Sequence, residues 1–557
     1  MRPGRETRAI DPSKGTPRTG GTVLAEQLVS EGTEVVFGVP GAQLDHAVDG
    51  LARLGDTIRF VHTRHEQGAG YMADGYARTT GRPGVMMVVP GPGLLNASAA
   101  LATAWACSSP VVALVGAIPT WARDRHAGVL HELGDQSAIV RELAGWHRMV
   151  DTADSIPAAI ADAFAAARSG RPRPAAVEIP ADVLAHPTSA ATVAPLPTHH
   201  PAPSPNDVAA TAALLNRATF PVIVAGSGVT AADAGEALIR LAERIDAPVI
   251  LTTNGKAATA HDHPLVVPQP VGRDLLPQAD VVLAVGTRLA NAVGRPVVVA
   301  PEADLVLVNA DEVDLGGWRR PTVALHADAG LALSAIVDAV TDGTVTGTGR
   351  RDSVSAITEA RTIYERQIDS IRPLAEFVDA IGSAMPSDGI VVADLTQVGY
   401  LANAIMPVAT PRSYLTSGWQ GTLGFSYPTA LGAKVAHPDR AVVAIIGDGG
   451  MGFTMSEMAT AARHGIATIA VCFRDDAFGN VRRTQREVFD ERYLGTDLKN
   501  PDFVAVASAH GLRARRAASA AGLELELRLA LEHGAPALIE VAIGEVPSPW
   551  HLFAEKP

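Results

Sequence analysis

The stretch AVVAIIGDGGMGFTMSEMATAARHGIATIAVCFRDDAFGN, residues 441–480, reads as one parallel α/β unit. Its two β-branched runs, 441–446 and 468–473, are apolar apart from Thr468, as strands buried on both faces are, and an Ala-rich helical segment joins them. The first run leads into Gly447-Asp448-Gly449-Gly450 and the second into Arg474-Asp475-Asp476. Successive parallel strands end at one edge of a sheet, so Asp448 and Asp475, 27 positions apart, are placed to share one hard divalent cation. The glycines let backbone amides approach phosphate oxygens, and a helix expected to start near Phe453 would aim its positive end at them. Taken singly, GDGG is an ordinary strand-to-helix turn and RDD a solvated loop. Their order and spacing together point to a magnesium-bridged diphosphate.

The same rhythm extends in both directions. Short β-branched runs at 34–38, 85–89 and 111–115 precede helix-like segments, and a second block places strands at 221–225, 248–252, 281–285 and 305–308. A third block opens with a helix near Pro373 and a strand at 390–393. The prolines of TSAATVAPLPTHHPAPSP deny helix and central strand, which makes it a linker, and the Gly- and Thr-rich segment 341–351 breaks the pattern again. The expected fold is α/β, with three doubly wound parallel-sheet domains. Their expected boundaries are a loose tail at 1–19, a first domain at 20–187, a linker at 188–205, a central domain at 206–345 and a last domain at 346–557. No short-period repeat is visible, and the first and third blocks read as related folds with diverged sequences.

Composition narrows the function. A chain of 557 residues with 47% hydrophobic content buries several cores. Its net charge of −13 opposes tracking along nucleic acid, which needs clustered Lys and Arg, so small molecules are the expected partners. Cys107 and Cys472 are too few for a disulfide framework or a Cys-based metal site, which fits a reducing compartment. The first twenty residues match neither a secretory signal nor a membrane helix. The longest apolar runs fall well short of the roughly 20 residues that span a bilayer, so a cytoplasmic protein without membrane contact is expected.

The segment 447–480 resembles the thiamine diphosphate motif, which opens on GDG and closes on Asn or Asp. FVHTRHEQGAGYMADGYARTTGRPGVMMVVPGPGLLNA, residues 60–97, resembles the segment with which thiamine-diphosphate-dependent enzymes of the acetolactate synthase, benzoylformate decarboxylase and benzaldehyde lyase group supply their catalytic glutamate, here Glu66. The resemblance covers residues 20 to 550 and implies pyrimidine-binding, central and diphosphate-binding domains. It implies Mg²⁺ held by Asp448, Asp475 and the carbonyl of Ala477, with Gly447, Gly449, Gly450, Phe478, Gly479 and, from the first domain, Gly41 around the cofactor. LTSGWQGTLGFSYPTALGAK, residues 415–434, is similar to the stretch that grips the pyrimidine. There the Gly421 carbonyl would accept the cofactor's amino group and Leu423 would wedge it into its bent form. DLTQVG, residues 394–399, aligns with a diphosphate-contacting turn and brings in Gln397 and Gly399. Glu66 is needed because the C2 proton of thiamine leaves only when the pyrimidine is held as its imino tautomer. A carboxyl group bonded to the ring nitrogen in an apolar setting promotes that tautomer. His65 reads as an orienting, structural histidine.

The chain also departs from these relatives. The biosynthetic acetolactate synthases hold FAD on the central domain and use an Arg after an Asp pair. Here GTRLANAVG, residues 286–294, lacks the acidic pair and has Ala292 at the Arg position. The loose GxGxxA of Gly226, Gly228 and Ala231 has no confirming acidic residue at the expected distance, so FAD is not expected. Thr484 stands where those synthases place a pocket Trp, with Asn480 one helical turn earlier, which makes the substrate pocket smaller and more polar. Val89 replaces the proton-relaying His of the benzoylformate decarboxylases. His131 takes the place of an active-site Gln, either as a catalytic group that moves a proton near neutral pH or as a surface or helix-capping residue beside Glu132. The implied activity is flavin-independent decarboxylation or carboligation of 2-oxo acids or aldehydes through a C2 carbanion and an enamine. Active sites would lie between the subunits of a homodimer or homotetramer. The alternatives are a thiamine-dependent C–C lyase or hydrolase on an unusual substrate, and a non-catalytic binding protein of the same fold.

Overall fold

Three parallel sheets of six strands, each flanked by helices, follow one another along the chain, as the alternating pattern requires. The computed structural model describes residues 18–290, 297–316, 319–341, 351–544 and 546–552. Most of the N-terminal tail, most of the 341–351 segment, and Ala292 and Gly294 lie outside the described residues.

The first sheet holds β1 (Val35–Gly38), β2 (Arg59–His62), β3 (Gly84–Val88), β4 (Val111–Ala117), β5 (Trp146–Met149) and β6 (Ala175–Pro180), in the order β2-β1-β3-β4-β6-β5. The second holds β7 (Pro221–Ala225), β8 (Val249–Leu251), β9 (Val266–Pro268), β10 (Val281–Val285), β11 (Asp304–Asn309) and β12 (Val323–His326), in the order β12-β11-β10-β7-β8-β9. The third holds β13 (Ile390–Ala393), β14 (Tyr414–Thr416), β15 (Val442–Gly447), β16 (Ile469–Arg474), β17 (Arg513–Ala517) and β18 (Ala537–Ala542), in the order β14-β13-β15-β16-β18-β17. The first and third sheets therefore share one strand order. Central strands β4, β7, β10 and β13 are buried at every position, which is why they read as unbroken apolar runs.

One element begins elsewhere than expected. The helix placed near Phe453 starts at Asp448 itself: Asp448–Thr454 is followed by a 3-10 turn, Met455–Glu457, and the helix Met458–His464. Gly447, extended at φ −86° and ψ 161°, turns the chain straight from β15 into that helix. The glycine run that reads as a loop is the helix's first turn.

The first and third sheets share a core, sealed where the helices Glu66–Thr80 and Ser426–Ala436 pack together. A Cβ on Gly75 would lie 2.0 Å from the Thr429 carbonyl oxygen, so only glycine allows this approach. Arg78 is half-buried beside it, donating to the Thr416 carbonyl at 2.8 Å and pairing with the fully buried Asp74 at 3.3 Å. Residues 188–204 form no helix or strand, yet Gln27 ties them down by donating to the Val193 carbonyl and accepting its N–H. Among the described residues no helix is long and apolar enough to cross a membrane.

His464, at the end of Met458–His464, stacks edge-on against His62 of β2 with ring centroids 4.8 Å apart. Burial, then His62 and Arg59, push its imidazole down to about 4. A depressed imidazole stays neutral in the fold while the unfolded chain protonates, so this group withdraws stability as pH falls from about 6.5 toward 4. His464→Gln is accordingly expected to gain in Tm relative to the parent across that window. Melting curves at pH 7, 6, 5 and 4.5 that keep a constant gap would refute it.

Candidate active site

In open parallel sheets, ligands gather at the carboxyl ends of strands where the strand order reverses. In the third sheet this point lies between β13 and β15, and it brings together Asp394, Gly447–Gly450 and, one strand further, Asp475. Asp448 is buried. Its carboxylate accepts the N–H of Gly449 at 2.9 Å, the N–H of Asp476 at 2.8 Å and the amide of Asn500 at 2.8 Å. The carboxyl groups of Asp448 and Asp475 lie close enough to influence each other's protonation. Burial first, and Asp448 second, push Asp475 up to about 7, and burial raises Asp448 as well. Two carboxyls, one buried and one half-buried, pushed toward protonation form a site that a divalent cation would relieve. No group of three or more His, Cys, Asp or Glu side chains gathers as a metal site among the described residues. The carbonyl of Ala477, which the family resemblance implies as a third ligand, lies in the same loop two residues after Asp475. The loop is tightly set: Ala477 donates to Asp475 at 3.2 Å, and a Cβ on Gly479 would stand 2.3 Å from Asp475 Oδ2. Phe478 packs on Gly449, closing the glycine turn from the other side.

The loop 421–424, with half-buried Leu423, is fastened at both ends. Asp394 accepts the N–H of Gly424 at 3.0 Å, and burial pushes its carboxyl up to about 6. Thr422 bonds Thr103 of the first domain at 2.9 Å, and Gly421 takes a left-handed turn at φ 63°. Gln397 opens the helix Gln397–Ile405 and has a buried Oε1 with no partner. Gly399 lies so close to the Asp394 carbonyl that a Cβ would fall 2.1 Å from it.

The first sheet reverses order between β1 and β3, and its carboxyl edge collects the other predicted residues. Gly41 follows β1, Glu66 follows β2, Gly91 follows β3 and His131 lies in the loop after β4. Glu66 opens its helix after His65, whose ring caps Gln67 at 3.2 Å. The half-buried carboxylate of Glu66 accepts a hydrogen bond from Asn96 at 3.0 Å. His131 sits at φ 66°, its carbonyl against Gly91 and its Nδ1 buried without a partner. It caps no helix, because Asp135 caps the helix Gln136–Leu143. With strands about 4.8 Å apart, the β2 and β4 ends stand about 14 Å from each other along this edge. Glu66 and His131 thus mark the two ends of one row.

Four further residues escaped the sequence reading. Asn96 orients Glu66 from the next helix, a contact that no spacing rule supplies. Asp394 ends a strand as Asp448 does, and that parallel was the available signal. Asn500 reaches Asp448 from a loop with no periodicity at all. Glu457 is 1% exposed and accepts the backbone N–H groups of Arg64 at 3.2 Å and His65 at 3.0 Å, the residues leading into Glu66. Gly68 makes room for it, since a Cβ there would lie 2.5 Å from Glu457 Oε1. A carboxylate from the third domain thus fixes the entry to the first domain's glutamate-bearing helix.

A fold of three parallel sheets, with glycine turns and a carboxylate pair at one edge and a lone glutamate at another, defines an α/β enzyme that binds a diphosphate cofactor. Comparison with known proteins specifies the class. Residues 18–139 match the thiamine pyrophosphate enzyme N-terminal TPP binding domain, residues 208–336 the central domain and residues 394–541 the C-terminal TPP binding domain. The chain is 33% identical over 550 residues to a probable 2-ketoarginine decarboxylase of Pseudomonas aeruginosa, covering 96% of both proteins. It is 32% identical over 560 residues to an acetolactate synthase of Mycobacterium bovis, covering 96% of this chain and 90% of that one. To a probable acetolactate synthase large subunit of Methanocaldococcus jannaschii it is 30% identical over 552 residues, covering 94% and 92%. The chain belongs to the thiamine pyrophosphate enzyme family, and it is a thiamine-diphosphate-dependent enzyme acting on C–C bonds.

Proposed function

We propose that the chain is a flavin-independent 2-oxo acid decarboxylase or carboligase that binds thiamine diphosphate through Mg²⁺, with each active site shared between two copies. The observation carrying this reading is the separation of the two half-sites. Among the described residues, the side chain of Glu66 bonds Asn96 and makes no hydrogen bond to the loops around Asp448 and Asp475. Within one chain Glu457 and Thr422 tie the third domain to the first, while the Glu66 carboxylate itself stays with Asn96. Exposed apolar side chains flank each half: Leu95 and Leu130 beside Asn96 and His131, and Phe453, Val481 and Leu494 beside the metal loops. A second copy that brings its Glu66 to these loops would cover both sets.

When bound, the cofactor would supply a nucleophilic carbon that adds to the substrate carbonyl and a cationic ring that takes up the electrons of the C–C bond that breaks. The protein's part is to hold the diphosphate at the glycine turn, to let Asp448, Asp475 and the Ala477 carbonyl ligate Mg²⁺, and to set Glu66 on the pyrimidine nitrogen. Leu423 and the Gly421 carbonyl would fix the bend of the ring, and His131 would face the substrate from the far end of the row. Flavin independence draws support from the sequence of the central domain, where the loose GxGxxA of Gly226, Gly228 and Ala231 has no confirming acidic residue and the acidic pair is missing from residues 286–294.

Titration with thiamine diphosphate and Mg²⁺, followed by a screen of 2-oxo acids for CO₂ release without added flavin, tests the reading. The expected result is saturable cofactor binding and turnover of at least one 2-oxo acid. Absence of binding, or turnover that requires FAD, would overturn it.

A further inference from the structure

Asn480 is the second residue of the helix Gly479–Val488, which starts where the metal loop ends. Two donors converge on its side-chain oxygen: the indole N–H of Trp550 at 2.7 Å and the guanidinium of Arg483 at 3.2 Å. Turning the amide over would lose both bonds and set N–H against N–H, so its orientation is fixed. The NH₂ group is then left with no acceptor among the described residues, on a side chain that is only half-buried. Trp550 is itself locked in place. Its ring lies 4.9 Å from that of Tyr400, the Arg483 guanidinium sits 5.9 Å from its centroid, and neighbouring Leu552 is fully buried in the core. Tyr400 belongs to the helix that begins at Gln397. The short segment Pro549–Leu552, nearly the last described residues, thereby reaches back to the mouth of the cofactor site.

We propose that Asn480 is a substrate-binding residue that donates its NH₂ to an oxygen of the 2-oxo acid, and that Trp550 and Arg483 are positioning residues that hold the amide in the donating orientation. The assignment rests on the function proposed above and deepens it. The neighbouring arginines are paired with carboxylates, Arg482 with Asp497 and Arg483 with Glu487, so the fixed amide donor is what suits an oxygen of a 2-oxo acid and disfavours a purely apolar group. The closing segment contributes the tryptophan, so the substrate site is complete only when that segment is docked.

The test uses the full chain loaded with thiamine diphosphate and Mg²⁺, and a 2-oxo acid that the wild type turns over. Trp550→Phe keeps the ring and removes only the N–H, which frees the Asn480 amide to turn. KM is expected to rise about tenfold, the effect of losing one oriented hydrogen bond, with kcat changed about threefold or less. Trp550→His, which retains a ring N–H, is expected to recover part of that loss. Asn480→Asp, which replaces donors by acceptors and adds a negative charge, is expected to raise KM further. Cofactor affinity and Tm should stay at wild-type values in Trp550→Phe. An unchanged KM in Trp550→Phe would overturn the assignment, as would a joint fall in cofactor affinity and Tm, which marks Trp550 as a structural plug. A wild type that binds cofactor but turns over no 2-oxo acid would sink the function proposed above and this assignment with it. Turnover that persists unaltered in all three variants would sink the assignment alone.

Discussion

Replacing Glu66 by Gln is expected to cut kcat for any accepted 2-oxo acid by about 10³-fold while KM and cofactor affinity move only a few-fold. Gln keeps the shape and still bonds Asn96 and a ring nitrogen, so binding survives. It cannot hold or surrender a proton, and positioned proton transfer contributes about 10²- to 10⁴-fold in such sites. The loss should therefore appear in kcat and in kcat/KM equally, the mark of an interaction made at the transition state. Steady-state kinetics beside a cofactor titration settle it. A deficit below about tenfold would remove Glu66 from the proton path, and loss of cofactor binding would make it an anchor instead.

Asp448→Asn carries the second large effect. Affinity for a hard cation follows the charge count of its oxygen ligands, so apparent affinity for thiamine diphosphate in saturating Mg²⁺ should fall about 100-fold. In the metal-free protein two effects oppose each other. Removing the Asp448 charge relieves Asp475, but the new NH₂ faces an N–H donor that the carboxylate accepted. The metal-free variant should melt within a few degrees of the parent, while the Tm gain on adding cofactor and Mg²⁺ disappears. Chelating the metal from the parent should reproduce the variant's weak binding. A metal-free variant that melts well below the parent would show that Asp448 serves the fold rather than the cation.

The two experiments probe opposite ends of one arrangement, and the sequence exposed those ends unequally. Its long buried strands announced themselves: β7, β10 and β13 begin and end where their apolar runs do. Strands with mixed composition did not. Trp146–Met149 and Arg513–Ala517 lie at sheet edges, where one side meets solvent and charged side chains are tolerated, so neither shows an apolar run. The helix at Asp448–Thr454 was hidden by its glycines, which favour a turn until the sheet edge behind them supplies packing. His131 left a catalytic reading and a surface or capping reading open, and its place in a loop, beside a helix capped by Asp135, removes only the capping of that helix.

The sequence by itself determined the class of fold and the placement of the aspartate pair, because these depend on local composition and on spacing along neighbouring strands, and it singled out Glu66 only through resemblance to a known family. Only the tertiary structure revealed the contacts across elements far apart in the chain: Asn96 on Glu66, Glu457 on the Arg64 and His65 amides, and Trp550 on Asn480. Such hydrogen bonds are set by how helices settle on different sheets, and periodicity carries no record of which side chain will face which.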